Sequence, residues 1–383
     1  MHTALRRLFL TDRADAGAGQ KDCRKKSPPH CSILVKLDIT VLDLTRLLPG
    51  ATATDWLARN GATVIKIEQP GDGDYARSLA PEIFAATNSG KKSICLNLKD
   101  PRGRDLLLRF ARQADVLIEG FRPGAMARLG LGFDELHTVN SRLIYASLTG
   151  YGQTGPYADL AGHDVNYLAL GGVLGLSLPT IPGVQIADLA AGSMQAVIAI
   201  LFALVERGNT GKGRYLDVSM LAGVESLLTV PLALHRGSGR EPQAGNEILS
   251  GRYACYNVYE AGDGRWLAVG ALEPKFWAEL CRRIGCEDLI PLQFASGETR
   301  SQVKERVAAI FRTRTAAEWF EALRAFDCCV TPVRTISEVA AELPHPANAA
   351  PPPGLGEHTR AILSGCGISD SELDHLEREG VIQ

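Results

Sequence analysis

Most of the eight histidines stand in polar loops or in the tails, and His163 is the exception. It lies in Ala161-Gly162-His163-Asp164-Val165-Asn166-Tyr167, between a glycine-rich loop and an apolar segment. An imidazole can give or take a proton near neutral pH. By its place alone, His163 could equally cap a helix or be satisfied in a core. Asp188 lies in Gln185-Ile186-Ala187-Asp188-Leu189, where a long apolar helix is expected to begin. Asp is a favoured helix N-cap, and a helix N-terminus is expected to stabilise the carboxylate and lower its pKa. Capping and proton or acyl chemistry are compatible uses of that side chain. Glu273, in Gly270-Ala271-Leu272-Glu273-Pro274-Lys275-Phe276, directly precedes a helix that proline opens, so it too has a capping reading.

The common chemical signatures fail where they would have to stand. The first strand runs into Leu47-Leu48-Pro49-Gly50, with no GxGxxG for a dinucleotide. Gly90-Lys91-Lys92-Ser93 echoes a phosphate loop, but Ala85 stands at its leading glycine and Lys92 at its hydroxyl position. No serine has glycines two residues to either side, and there is no HExxH. Nicotinamide enzymes, P-loop NTPases, α/β-hydrolases and zinc proteases of that type are thereby disfavoured.

The elements that must position these residues alternate. Ile39–Leu44 reads as a buried strand, followed by a helix through Asp55–Ala58 that Asn60-Gly61 ends. Thr63–Ile67, Asp115–Ile118, Leu143–Leu148 and Tyr215–Val218 read as further strands. Pro101 opens a helix with Leu106 and Phe110 on one face, and Phe133–Val139 is helical. Strands separated by helices indicate a parallel sheet covered on both faces. Tyr151–Pro156 is a loop, and a long apolar helix is expected over Leu189–Glu206, stopped by Gly208-Asn209. Arg252–Tyr259 and Arg265–Val269 flank Ala261-Gly262-Asp263-Gly264 as a hairpin. Helices follow at Pro274–Arg283, Arg300–Phe311 and Thr315–Phe326, then a linker at Pro346–Gly354 and a last helix at Ser369–Arg378. The domain reading is a disordered extension over 1–37, a large α/β domain over 38–235, a small α/β domain over 250–335, and a linker and C-terminal segment over 336–383 that returns to the large domain.

The 383 residues allow two or three domains with sizeable cores. Apolar residues make up 45% and charged residues 22%, which excludes a mainly disordered chain. The 41 Lys and Arg nearly balance the 43 Asp and Glu, so bulk nucleic-acid binding is not expected. Nine cysteines form no CxxC pair, which argues against zinc ribbons and fits reduced thiols in the cytoplasm. No uninterrupted run of eighteen apolar residues occurs, so no membrane span is expected.

An ordered set of short segments resembles the family III CoA-transferases of the CaiB/BaiF type, a family that includes the α-methylacyl-CoA racemases. The segments are Val41-Leu42-Asp43-Leu44, Val64-Ile65-Lys66-Ile67-Glu68, Asp115 through Gly124, Arg128-Leu129-Gly130, Gly150 through Pro156, Gly211-Lys212-Gly213 and Gly356-Glu357-His358-Thr359. The resemblance implies a Rossmann-like large domain, a smaller α/β domain and a homodimer of two interlocked rings. Gly162 through Tyr167 and Ala271 through Phe276 are similar to the racemase branch. Two departures from that branch are Ala187 and Val184, where its members carry Gly and Asn.

The resemblance assigns roles. His163 and Asp188 would act on opposite faces of the α-carbon of a 2-methylacyl-CoA, passing its proton through an enolate. Glu273 would hold the His163 ring, and the amide of Asp164 would meet the enolate oxygen. In the transferase branch, Asp188 would instead attack the thioester and carry CoA between acids as an aspartyl-CoA. A non-catalytic acyl-CoA-binding protein is the third reading. Lys99 and Arg128 would meet the phosphates of CoA, and Leu96, Leu98 and Phe121 would border the adenine. A basic residue commonly follows Glu68 in relatives, and Gln69 stands there, so one phosphate contact is expected to be missing. No metal or further cofactor is implied, and the partners are acyl-CoA and a second copy of the chain, with neither nucleic acid nor membrane.

Overall fold

Six short runs of β-branched and aliphatic residues, each followed by a helix or a loop, assemble into one parallel sheet. The computed structural model describes residues 37–343 and 351–383. The expectation of a disordered 1–37 extension therefore lies outside the described residues, apart from Leu37, as does part of the expected linker. The strands are β1 (Thr40–Leu44), β2 (Thr63–Glu68), β3 (Lys92–Cys95), β4 (Val116–Glu119), β5 (Ile144–Thr149) and β6 (Tyr215–Ser219), in the order β3-β2-β1-β4-β5-β6. Strand order reverses between β1 and β4. In open sheets of this kind, ligands settle outside the carboxyl ends of the strands at that switch point.

The sheet is buried on both faces. Leu42, Leu44, Ile94, Leu117 and Tyr145 pack on one side with Leu107 and Phe110 of the helix Pro101–Ala111. Val41, Val116, Ile118, Ile144 and Ala146 pack on the other with Ala191, Ala196 and Ile200. Asp100 caps the helix Pro101–Ala111 by accepting from the Arg102 amide at 2.8 Å.

Two stretches differ from expectation. β3 is not foreseen, because Lys92-Ser93 looks polar, yet it pairs in parallel with β2 at the sheet edge. The long helix begins earlier and ends later than expected. A π-helical segment, Ala187–Met194, runs straight into an α-helix, Gln195–Thr210, and Gly211 at φ +73° ends it. Gly208-Asn209 does not stop it, because helical hydrogen bonding continues and the left-handed cap falls at Gly211. The whole stretch spans 24 residues with mean hydropathy 1.9 in its most apolar window, long and apolar enough by composition to cross a bilayer. Polar residues such as Asp188, Ser193 and Gln195 interrupt it, so it holds no unbroken run of eighteen apolar residues.

A separate core follows. β7 (Tyr256–Glu260), β8 (Trp266–Gly270) and β9 (Val330–Pro332) form an antiparallel sheet in that order. The helices Pro274–Ile284, Gly297–Phe311 and Ala316–Leu323 cover it through Trp277, Phe311 and Trp319.

The chain then comes back to the large sheet. Gly356-Glu357-His358-Thr359 lies along the free edge of β3. The Ser93 amide donates to His358 Nδ1 at 3.3 Å, and the Cys95 amide to Thr359 Oγ1 at 3.0 Å. An open edge strand is thereby closed without another strand. Beyond it, Leu363, Leu373, Leu376 and Val381 join the large-domain core, and Leu96 bridges to Ile382.

Candidate active site

The loops leaving the carboxyl ends of β1, β4 and β5 surround a cavity of about 490 Å³ at the switch point. Thr45 to Gly50 come from β1, Gly120 to Pro123 from β4, and Leu148 to Tyr151 from β5. His163, Tyr167 and Asp188 complete one wall.

His163 is the N-cap of the helix Asp164–Leu170, the position its sequence context allowed. The turn is held by its neighbours: Asn166 Oδ1 accepts from the His163 amide at 3.0 Å. The Tyr167 hydroxyl donates to the Gly162 carbonyl at 2.6 Å. A Cβ at Gly162 would stand 2.6 Å from the Tyr151 hydroxyl oxygen and 2.9 Å from the Tyr167 ring, so a larger residue there would displace both rings. The imidazole itself is exposed toward the cavity. The amide of Asp164 opens the helix, so it is one of those that the helix cannot satisfy internally.

Asp188 is not the cap expected of it. Ile186 holds the N-cap position, and Asp188 sits one residue inside the first turn. The Asp188 amide donates to Asp164 Oδ1 at 3.0 Å, which ties the two segments together. The wider π-helical turn belongs here: Ser193 Oγ lies 3.0 Å from the Asp188 carbonyl and 2.6 Å from that of Pro49. Such turns recur where a side chain must be presented to a site. The expected lowering of the Asp188 pKa is overturned. Burial raises it, the adjacent Asp164 carboxylate raises it further, and the opposing pull of His163 does not compensate, leaving it at about 6.

A smaller cavity of about 170 Å³ lies at the ends of β2 and β3, bordered by Leu96, Leu98, Lys99 and Phe121 among others. Four of the five side chains anticipated around CoA are thus together. Arg128 borders neither cavity and stands against Gly124. Glu273 is the N-cap residue of the helix Pro274–Ile284 in the other core and does not line the large cavity.

Arg46 escaped the sequence reading. Of the residues bordering the two cavities, only Arg46 and Phe121 border both. Its guanidinium lies over the rings of Tyr75 and Phe121, 5.0 and 5.3 Å from their centroids. It also donates to Gln69 Oε1 at 3.3 Å, the place where a missing cation was anticipated.

Behind this loop is a buried charged network. Lys91 Nζ meets Asp43 Oδ2 at 3.1 Å and Thr54 Oγ1 at 2.7 Å. Lys66 Nζ meets Asp74 Oδ2 at 2.8 Å and the Thr45 carbonyl at 3.0 Å. Burial alone would raise the Asp43 pKa, but Lys91, Lys66 and the hydroxyls of Thr45 and Thr54 prevail and hold it at about 2.

A doubly wound sheet with a histidine and an aspartate on one wall of a cavity at its switch point, and a second cavity adjoining it, has the layout of an α/β enzyme. The chain belongs to CoA-transferase family III, whose pattern matches residues 37–351. It is similar to human alpha-methylacyl-CoA racemase, with 35% identity over 90% of this chain and 97% of that protein. It is also similar to mouse succinyl-CoA:glutarate CoA-transferase, with 31% identity over 96% of this chain and 93% of that protein. Among solved structures, a CAIB/BAIF family protein from Brucella suis superposes with a TM-score of 0.72. That pair shares 28% identity and covers 85% of this chain and 98% of the other.

Proposed function

We propose that the protein interconverts the two configurations at C2 of a 2-methylacyl-CoA. The observation that carries this reading is the pairing of His163 and Asp188 on one cavity wall, with the carboxylate at about 6. A thioester α-proton is weakly acidic, so its removal needs a placed base and a stabilised enolate. A carboxylate with a raised pKa is a stronger base than an ordinary one and is still mostly ionised at pH 7. His163 serves one face of the α-carbon and Asp188 the other, each ending with the proton state the other began with. The free amide of Asp164 is placed at the helix start to receive the enolate oxygen.

The smaller cavity takes the adenine between Leu96, Leu98 and Phe121, with Lys99 at its rim. Glu273 orients the His163 ring from a second copy of the chain, since it does not border the cavity of its own large domain. The helix Gln195–Thr210 supports a dimer: Ile198, Leu201, Phe202 and Val205 form an exposed apolar stripe at helical spacing. An interlocked homodimer in a reducing, cytoplasmic setting accounts for that stripe and for the free buried thiols.

The test is α-hydrogen exchange. The protein is incubated with 2-methylacyl-CoA in D2O, without an acceptor acid, and deuterium at C2 is read by mass spectrometry. Uptake is expected, and its loss on one enantiomer alone in His163→Ala ties that face to the proposed base. Absence of uptake, with CoA passing to an added acid through a hydroxylamine-sensitive Asp188 adduct, would replace this reading with the transferase one.

The pH dependence has a definite sign. Below about 6 the protonated form of Asp188 prevails and cannot accept a proton. Exchange that begins at Asp188 is therefore expected to rise tenfold per pH unit well below that value and to level off above it. A rate that stays flat down to about pH 4, the ordinary carboxylate value, would remove Asp188 as the base.

A further inference from the structure

We propose that Arg46 binds the diphosphate of the CoA moiety and fixes the span between the nucleotide and the reacting carbon. This rests on the acyl-CoA reading above. A ligand with its base in the smaller cavity and its thioester beside His163 must pass the place where the cavities meet. Among the cations, Arg122 borders the larger cavity and Lys99 the smaller, and Arg46 alone borders both.

Its guanidinium is set in place before any ligand arrives. Tyr75 and Phe121 support its face, and its two identified hydrogen bonds go to the Tyr75 hydroxyl at 3.0 Å and to Gln69 Oε1. Arginine carries five N–H donors, so three remain for an anion. Among the described residues, no carboxylate pairs with it. Geometry of this kind suits the two-point recognition of phosphate oxygens.

The backbone on either side is held by the buried network. The Thr45 amide and hydroxyl both donate to Asp43 Oδ1, at 2.9 and 2.6 Å, and the Thr45 carbonyl accepts from Lys66. On the other side, the Leu47 amide donates to Asp74 Oδ1 at 3.0 Å. Leu47 itself is held at φ +60°, a left-handed conformation that a leucine adopts only under constraint. Arg46 is thus gripped at both neighbours by charges removed from water. Its side chain is half-buried, and it is the charged part of that loop bordering both cavities. Pre-ordering of this kind lowers the cost of binding.

The experiment separates the nucleotide and diphosphate from the pantetheine arm, and 4′-phosphopantetheine, which keeps one phosphate and no nucleotide, is expected to lose affinity in Arg46→Gln as well. Binding of CoA and of pantetheine, which lacks the nucleotide and diphosphate, is measured by calorimetry, alongside exchange kinetics on acyl-CoA and acyl-pantetheine. Arg46→Gln is expected to weaken CoA binding, and raise KM for acyl-CoA, by about 10- to 100-fold, the range of hydrogen bonds to a charged group. The loss should be absent for pantetheine and its thioester. Arg46→Lys should recover part of it, and Gln69→Arg in the Arg46→Gln background should recover more, because position 69 already reaches the same point. An equal loss on pantetheine, or unchanged CoA affinity, overturns the assignment. A wild-type protein that binds no CoA ends the acyl-CoA reading and this inference with it. A wild type that binds CoA, beside an Arg46→Gln variant that binds it equally well, ends this inference alone.

Discussion

Asp188→Asn is expected to reduce interconversion of the two C2 configurations by about 10³-fold, within the range that a positioned acid–base group contributes. It should nevertheless leave deuterium exchange on one enantiomer. Inversion needs a proton removed at one face and delivered at the other. With Asn at 188 the second step has no donor, but His163 can still remove the proton on its own face and return a deuteron there. His163→Ala should show the converse, with exchange confined to the other enantiomer and falling as Asp188 becomes protonated, at a higher pH than in the wild type because the lowering pull of His163 is gone. The readout is chiral separation of the product acids combined with mass spectrometry. Equal loss of exchange on both enantiomers in Asp188→Asn would sink the two-base scheme. Asn at 188 keeps the size of the side chain, and the Asp188 amide retains its bond to Asp164, so a folding defect is not the expected cause of either pattern.

The second large effect concerns stability. Asp43 is fully buried and contacts Thr45, Thr54 and Lys91. Asp43→Ala removes the anion and leaves the ammonium of Lys91 stranded among dipoles. Breaking a buried pair on one side typically costs about 3 to 5 kcal/mol. The urea midpoint of the variant should fall accordingly, with little change in slope. Adding Lys91→Met should restore part of the loss, since it removes the stranded charge. No recovery would mean that the hydroxyl bonds to Thr45 and Thr54, rather than the charge pair, carry the effect. The sign with pH is also fixed. Asp43 has a folded pKa near 2, below its ordinary 3.8, so the folded state binds fewer protons between those values. Its contribution is full above the ordinary carboxylate pKa and is lost as pH falls through about 2. Asp43→Ala should remove that part of the acid sensitivity.

Much of the large sheet was legible because each strand is a short apolar run bounded by Asn-Gly, Gln-Pro-Gly or a proline-initiated helix. β3 was not, because an edge strand with lysine at its start lacks that contrast. Its edge is closed by residues more than 260 positions away, which no local pattern encodes. His163 and Asp188 stood out by type and context, which allowed capping as well, and the family resemblance gave them their roles. Their electrostatics were not, since Asp164, which raises Asp188, arrives from 24 residues earlier through the fold. A helix terminus seen in sequence suggested a lowered pKa, and burial reversed it. Arg46 had a signal that could have been read. Asp43 is a charge inside an otherwise apolar strand, which marks a buried partner, and the next charge along, at the strand's carboxyl end, stands where ligands bind in such sheets.

The closure of the β3 edge governs the order in which the site can be completed. Val381 accepts from the Asn97 amide, and Ile382 bridges to Leu96, so two residues that line the smaller cavity are held by a segment made very late in synthesis. Until Val381 and Ile382 leave the ribosome, the larger cavity can form while the support of Leu96 and Asn97 in the smaller one stays unfinished. The whole second core must be threaded between the two strokes that close the first. Contacts so distant along the chain are formed slowly. A stop codon or a bulky fusion close behind Gly380 would therefore act on the smaller cavity, at a distance of many residues from His163 and Asp188.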